Sequence, residues 1–97
     1  MKRILPASLL ALALLAAGPA AAECFADYKA KRDNPLQLHY GVVALPDRAC
    51  ADRSTAEAEV AARLRVAGWS LLNVMSIFGR DGLAEREADA GQHYLRY

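Results

Sequence analysis

The 97-residue sequence is poor in the side chains that build catalytic and metal centres. It contains two histidines and two cysteines, and none of them falls in a zinc-binding spacing such as Cys-x-x-Cys or His-Glu-x-x-His. No serine occupies the glycine-flanked turn of a hydrolase nucleophile, and the glycines fit neither a P-loop nor a dinucleotide-binding turn. We therefore expect no catalytic residues, no metal and no cofactor, and we favour a protein that is not an enzyme.

An enzymatic function is the alternative, and it would depend on the two histidines, His39 and His93. Both fall on predicted strands, so the fold can bring them together, and either imidazole could serve as the base of a small envelope hydrolase. A metal site would need a carboxylate or thiolate beside them as a third ligand. Because no ligand spacing accompanies them, we interpret both as ordinary sheet residues.

The sequence also lacks a basic surplus once its N-terminal segment is set aside. Residues 23–97 hold ten Lys and Arg side chains against eleven Asp and Glu. Nucleic-acid affinity comes mainly from basic side chains that neutralise phosphates. The near-neutral balance therefore argues against a nucleic-acid partner.

Residues 1–22 have the pattern of an export signal. Lys2-Arg3 forms a basic head, residues 5–17 are apolar, and small residues lead up to Ala22. We predict cleavage after Ala22 and a periplasmic or secreted product. The apolar run is shorter than the about 20 residues that span a bilayer, and it stops before a Gly-Pro pair, so we expect no stable membrane insertion.

Cys24 and Cys50 are the only thiols, and in an exported chain they are expected to form one disulfide. Residues 23–97 suffice for a single small domain, whose core is marginal without such a cross-link. A bridge that closes a loop of about 25 residues stabilises a fold by roughly 3 kcal/mol. Neither cysteine lies in the setting of a reactive thiol, so a redox role is disfavoured.

The chain between the cysteines has the pattern of a β-hairpin. Phe25–Arg32 and Leu36–Leu45 flank Asp33-Asn34-Pro35, whose residues favour a turn. A turn centred on the Asn-Pro pair places Cys24 opposite Leu45 at the open end of the hairpin. The first segment also fits one face of a short helix, so strand and helix both remain open for it.

A capped amphipathic helix is predicted from Ser54 to Ala67. Ser54 and Glu57 have the spacing of a capping box, in which each side chain bonds an amide at the start of the helix. Gly68 suits the left-handed residue that closes a helix. The stripe at helical spacing that we expect to be buried consists of Ala56, Val60, Leu64 and Ala67.

Beyond the helix, Trp69–Phe78 is apolar on both alternations, which is typical of a strand with neighbours on both sides. Residues 83–90 favour a short helical turn, and residues 92–97 alternate as a terminal strand. The order strand, strand, helix, strand, strand predicts an α+β fold, with a four-stranded antiparallel sheet and one helix packed on one face.

Gly68-Trp69, the strand at 70–74 and the closing residues 94–97 resemble domain of unknown function 4177, a family of small bacterial domains. Tyr28-Lys29 is similar to the opening strand of that family. The chain also resembles a group of short exported Gram-negative proteins that carry Tyr-Lys-Ala-Lys, here 28–31, and Leu-His-Tyr-Gly, here 38–41. The resemblance implies a small bacterial domain, and it assigns no activity and no catalytic residues.

Tyrosines on strands supply the candidate binding surface. One helix covers only one face of a four-stranded sheet, so the other face is left for another molecule. We predict Tyr40, Tyr94 and Tyr97 as its anchors, because tyrosine is enriched at protein interfaces. The partner would be a second copy of the chain or a periplasmic protein. The sequence thus favours a non-catalytic binding or association module, with the histidine hydrolase or a small-molecule carrier as alternatives.

Overall fold

The computed structural model describes residues 23–97, and the predicted export signal, residues 1–22, lies outside that range. The hairpin has the predicted register, with Cys24 opposite Leu45. Its first segment is therefore a strand and not a helix. The elements in chain order are β1 (Cys24–Arg32), β2 (Gln37–Leu45), α1 (Arg53–Val66), β3 (Ser70–Phe78) and α2 (Ala84–Ala90).

The hairpin turn reverses the chain through residues that leave the extended conformation. Asn34 has a φ of 64°, and the peptide bond between Asn34 and Pro35 is cis. β1 lies in the middle of the sheet, in the order β2-β1-β3, and both neighbours are antiparallel to it. Within the part of the chain that the structure describes, the sheet therefore has three strands.

β3 is an edge strand, although its apolar sequence predicts neighbours on both sides. Its pairing with β1 shifts twice, because Met75 and Leu72 each stand between paired residues without a partner of their own. These two side chains are 44% and 51% exposed, respectively. Bulges of this kind break the strict alternation of a strand. The apolar sequence of β3 therefore does not require that both faces of this strand be buried.

The predicted terminal strand at 92–97 does not form. Gly91–His93 is a 3₁₀ turn, and Tyr94 makes one isolated parallel bridge to Val42. Leu95 has a φ of 54°, which lies outside the extended range. The chain before this segment forms a second helix, α2, where only a helical turn is predicted. The described residues thus combine helices with an antiparallel sheet as expected, but with three strands and two helices in place of four strands and one helix.

α1 begins one residue earlier than predicted and uses a different cap. The Asp52 carboxylate accepts the amide of Ser54 at 3.1 Å and the hydroxyl of Thr55 at 2.5 Å. A capping aspartate satisfies an amide that the first turn leaves without a partner. Ser54 therefore lies inside the helix, and the predicted capping box is wrong. Glu57 instead pairs with Arg53 at 3.5 Å.

The apolar stripe of α1 packs on one side of the sheet, which we call the first face. The predicted residues Ala56, Val60 and Leu64 are buried, whereas Ala67 is exposed. Gly68 ends the helical region with a φ of 88°, as expected for a left-handed residue. The buried strand residues on the first face are Cys24, Ala26, Tyr28, Ala30, Val43, Leu45 and Val74.

α2, with Leu83 before it and Tyr94 after it, packs on the opposite side of the sheet, the second face. The buried cluster there contains Phe25, Val42, Leu83 and Ala90, with Tyr40, Phe78 and Tyr94 packed against it. The chain itself therefore covers part of the face that the sequence leaves for another molecule.

Cys24 and Cys50 form the predicted disulfide, with their Cα atoms 5.8 Å apart. The bond joins the start of β1 to the chain just ahead of α1, so it fixes the open end of the hairpin to the entrance of the helix. A disulfide in a chain of this size fits an extracellular location. In residues 23–97 neither helix has the length and apolar character needed to cross a membrane.

Candidate functional site

Five aromatic side chains meet on the first face, at the end of the sheet near the hairpin turn. This aromatic cluster consists of Tyr28, His39, Trp69, His93 and Tyr97. The hairpin register places His39 opposite Ala30, and the 3₁₀ turn at 91–93 brings His93 against it. Their rings stack with centroids 3.6 Å apart and an interplanar angle of 14°. The expectation that the two histidines can lie close together is confirmed, although His93 does not lie on a strand.

Trp69 forms one side of the aromatic cluster because it directly follows the left-handed Gly68. The amide of Trp69 donates to the carbonyl of Leu64 at 2.9 Å, at the point where the chain leaves α1. The indole meets His39 edge-on, with ring centroids 4.3 Å apart, and lies 5.8 Å from His93. Since Trp69 is only 8% exposed, it belongs to the core as well as to the site.

A hydrogen bond of 2.8 Å joins the Tyr28 hydroxyl to Nε2 of His39. The other ring nitrogen, Nδ1 of His39, is the one buried side-chain nitrogen or oxygen in residues 23–97 without a hydrogen-bond partner. Burial, aided by the neighbouring His93 and by two arginines, lowers the pKa of His39 to about 4. The imidazole is therefore neutral at pH 7, and it is a weak base.

His93 is also buried, and its Nδ1 lies 3.1 Å from the hydroxyl of Tyr97. Burial and the nearby arginine charges lower its pKa as well. A metal ion lies near the plane of each imidazole that it binds. Because the two stacked planes are nearly parallel, one ion cannot use both rings in this arrangement. No group of three or more His, Cys, Asp or Glu side chains suited to a metal ion occurs in residues 23–97.

A polar groove of about 620 Å³ opens beside the aromatic cluster, and we call it the arginine groove. Arg32 lies over the Trp69 ring at 4.2 Å, and its Nε and Nη2 donate to Oε1 of Gln37. The guanidinium of Arg96 lies 5.6 Å from the centre of the Tyr97 ring. The groove is lined by Arg32, Gln37, Leu38, Trp69, Gln92, His93, Arg96 and Tyr97.

The side chains that line the arginine groove have a net positive charge, since two arginines and no Asp or Glu line it. Arg48, Arg63 and Arg86 each pair with a carboxylate elsewhere in the fold. Within residues 23–97, neither Arg32 nor Arg96 has such a pair. Two exposed cations without a counterion are suited to an anionic ligand.

A different polar group lies on the second face. The buried carboxylate of Asp27 accepts hydrogen bonds from Tyr40 at 2.8 Å, Ser76 at 2.6 Å and Arg86 at 3.1 Å. Burial opposes the charge of Asp27, but these three donors outweigh it and lower the pKa of the carboxyl group. Because all of its partners belong to the chain, Asp27 holds α2 on the sheet and is not free for a ligand.

The structure separates the three tyrosines that the sequence predicts as anchors. Tyr40 and Tyr94 pack against the buried cluster of the second face. Tyr97 packs on the first face, stacks with His93 and lines the arginine groove. It is therefore the tyrosine of the three that belongs to the candidate site, together with both histidines.

Sequence reasoning missed the arginines and glutamines of the groove. The signal for one pair was present, because the predicted hairpin register places Arg32 opposite Gln37. Arg96 and Gln92 gave no such signal, since they reach the groove through the irregular end of the chain and not through a strand. Comparison of the chain with protein-family models, curated proteins and solved structures finds no match.

Proposed function

We propose that the chain is exported, folds around its disulfide, and acts by binding a ligand in the arginine groove rather than by catalysis. The observation that carries this proposal is the lining of the groove, which combines cationic, amide and aromatic side chains and contains no Ser, Thr, Cys, Asp or Glu. Such a lining supplies hydrogen-bond donors and positive charge, but no Ser, Thr or Cys nucleophile and no Asp or Glu base. It supports a binding role, and a small-molecule carrier is one form of that role.

The histidine hydrolase is less well supported by the same geometry. His39 bonds to Tyr28 through Nε2 and has a pKa near 4, so it is poorly suited to take a proton from water at neutral pH. His93 lines the groove, but its Nδ1 is already within hydrogen-bond distance of the Tyr97 hydroxyl, and no Ser, Thr or Cys lines the groove beside it. Neither histidine has the nucleophile and the orienting carboxylate that acyl-transfer sites combine.

Association with another protein is a weaker form of the proposal. Tyr40 donates its hydroxyl to Asp27, and Tyr94 packs against the chain's own second-face cluster. Both rings therefore stabilise the fold, and Tyr97 is the predicted anchor that remains next to an open groove. This placement favours a ligand that enters the arginine groove over a partner that covers the sheet.

The binding role is tested by NMR titration of the oxidised protein, expressed from residues 1–97 and purified from a bacterial periplasm. A panel of neutral, anionic and cationic small molecules is added to the labelled protein. We expect at least one class to give saturable shifts of the Trp69 indole and of the Gln37 and Gln92 side-chain amides. Saturable shifts in no class would contradict the proposal, as would ester hydrolysis that is lost in His93→Asn.

Export and oxidation are tested on the same preparation by intact-mass analysis. We expect a mass that lacks residues 1–22 and is lower by two hydrogens than that of the reduced polypeptide, because Cys24 and Cys50 are joined. A product that keeps its leader, or that reacts with two equivalents of a thiol reagent, would contradict this part of the proposal.

A further inference from the structure

We propose that the arginine groove selects doubly charged oxyanions, the class that includes phosphate monoesters and dicarboxylates. This ligand class rests on the proposed binding function and makes it specific. Three properties of the groove favour a doubly charged oxyanion. They are its free hydrogen-bond donors, its positive charge, and the packing of its aromatic rings against other groups of the chain.

The free hydrogen-bonding groups of the groove are mainly donors. Arg32 uses Nε and Nη2 on Oε1 of Gln37, which leaves Nη1 of Arg32 and the NH₂ of Gln37 for another molecule. Within residues 23–97, Arg96 donates no hydrogen bond to a side chain or carbonyl, so its planar fork of N–H groups is open. Donors of this kind match the several acceptor oxygens of a carboxylate or phosphate.

The positive charge of the groove is best matched by a ligand with two negative charges. Arg32 and Arg96 are both permanently cationic, and no Asp or Glu side chain lines the groove beside them. A neutral ligand would displace water from both guanidinium groups without replacing the lost electrostatic interaction. A monoanion would compensate only one of the two, whereas a dianion compensates both.

The aromatic rings of the groove already pack against other groups of the chain. Arg32 covers a face of Trp69, and His39 packs edge-on against the same indole. His93 stacks with His39 and with Tyr97. The rings therefore hold the arginines and the groove walls in place, and recognition of a neutral sugar or base by stacking is disfavoured.

The test is a set of NMR or calorimetric titrations of the oxidised protein at constant ionic strength and about pH 8, where methyl phosphate is a dianion. Methyl phosphate and malonate are the dianionic probes, acetate and methyl sulfate the monoanionic ones, and glucose the neutral one. Because both arginines are exposed, we expect a Kd on the order of 1 mM for a dianion and binding at least about tenfold weaker for the monoanions. The tighter of the two dianions indicates whether phosphate or dicarboxylate ligands are preferred.

Arg96→Gln is the diagnostic variant, because Arg96 is exposed and its replacement leaves the buried core intact. We expect it to weaken dianion binding about tenfold or more. Arg65→Gln is the matched control, since Arg65 is an exposed arginine on α1 that does not line the arginine groove. Its Kd should equal that of the unmodified protein, and the NMR spectrum of each variant shows whether the fold is kept.

Equal affinity for monoanions and dianions would overturn the inference, as would an equal loss in the two variants or no dianion binding up to about 20 mM. If a neutral or monoanionic probe still gives saturable shifts in the groove, the binding function stands and only the ligand class fails. If none of the probe classes binds, both fail.

Discussion

At the scale of single residues, the aromatic cluster depends on one position that has no side chain. Gly41 lies opposite Tyr28 in the hairpin, and a Cβ atom there would be 2.3 Å from the Tyr28 hydroxyl and 2.5 Å from the ring carbon that carries it. The fully buried Tyr28 ring therefore occupies the space that any larger residue would need. This close approach positions the hydroxyl for its hydrogen bond to His39.

Gly41→Ala is expected to lower the free energy of unfolding by about 1–3 kcal/mol, because the added methyl group displaces a ring that the core holds on all sides. Urea unfolding followed by Trp69 fluorescence measures the change. Gly79→Ala is the control, since a Cβ there meets only a carboxylate oxygen of Asp81 at 3.4 Å. Its effect should stay within about 0.5 kcal/mol. Similar losses in both variants would mean that contact with Tyr28 is not the cause.

At the scale of elements, the parts that could be predicted are those with strong local signals. The turn residues fix the hairpin register, and that register follows from Asp33-Asn34-Pro35 alone. The centre of α1 follows from its apolar spacing and from Gly68. The cap does not follow from the sequence, because Asp52 and Ser54 are both residue types that favour the N-cap position and lie two residues apart.

The parts that could not be predicted depend on contacts distant in sequence. β3 contains two bulges, which only its pairing with β1 reveals. Residues 92–97 alternate like a strand, but Leu95 adopts a left-handed conformation where its amide bonds the carbonyl of Val42 at 2.8 Å. The arginine groove arises where this segment meets the hairpin turn and Trp69, so its residues come from three segments that are distant in sequence. No local pattern in the sequence connects them.

α2 shows how one buried polar group can hold an element in place. With seven residues it is too short to be stable by itself. Arg86 joins it to the sheet through Asp27, and the same guanidinium lies 3.9 Å from the centre of the Phe78 ring and donates to the carbonyl of Gly82. The helix therefore depends on the ionised carboxylate as well as on its apolar contacts.

Asp27→Asn is expected to lower the free energy of unfolding by about 1–3 kcal/mol, because it removes the buried one of the two carboxylates that pair with the half-buried Arg86. Amide hydrogen exchange should accelerate in residues 84–90 more than in α1. The control is Glu85→Gln, which removes an exposed carboxylate that also pairs with Arg86 and should cost at most about 0.5 kcal/mol. Uniform acceleration across the chain would contradict a specific role for Asp27 in holding α2.

At the scale of the whole molecule, stability and the candidate site lie at opposite ends of the hairpin. The disulfide closes the open end at Cys24, whereas the arginine groove lies beside Arg32 and Gln37 at the turn. The groove end is held instead by packed rings, two of which are imidazoles kept neutral by burial. The stability of that end should therefore depend on pH, while the disulfide end should not.

The pH dependence has a definite sign. Burial lowers the pKa of His39 from 6.5 to about 4, and it lowers the pKa of His93 in the same direction. As the pH falls below 6.5, His39 becomes protonated in the unfolded chain but stays neutral in the folded chain. The contribution of His39 to stability is therefore complete above pH 6.5 and is lost as the pH falls towards 4. The lowered pKa of Asp27 adds a further loss only near and below its ordinary value of 3.8. The main decrease should therefore lie between pH 6.5 and 4.

Urea unfolding at several pH values tests this directly. We expect the free energy of unfolding to fall by about 1–2 kcal/mol between pH 7 and pH 4.5, after allowance for solvent screening of the partly buried ring. His39→Phe keeps an aromatic ring in the stack but cannot bind a proton, so its profile should be flatter over that range even if its stability at pH 7 is lower. Glu57→Gln, at an exposed pair on α1, should keep the original slope. If His39→Phe keeps that slope too, the buried imidazole is not the group that makes the fold sensitive to acid.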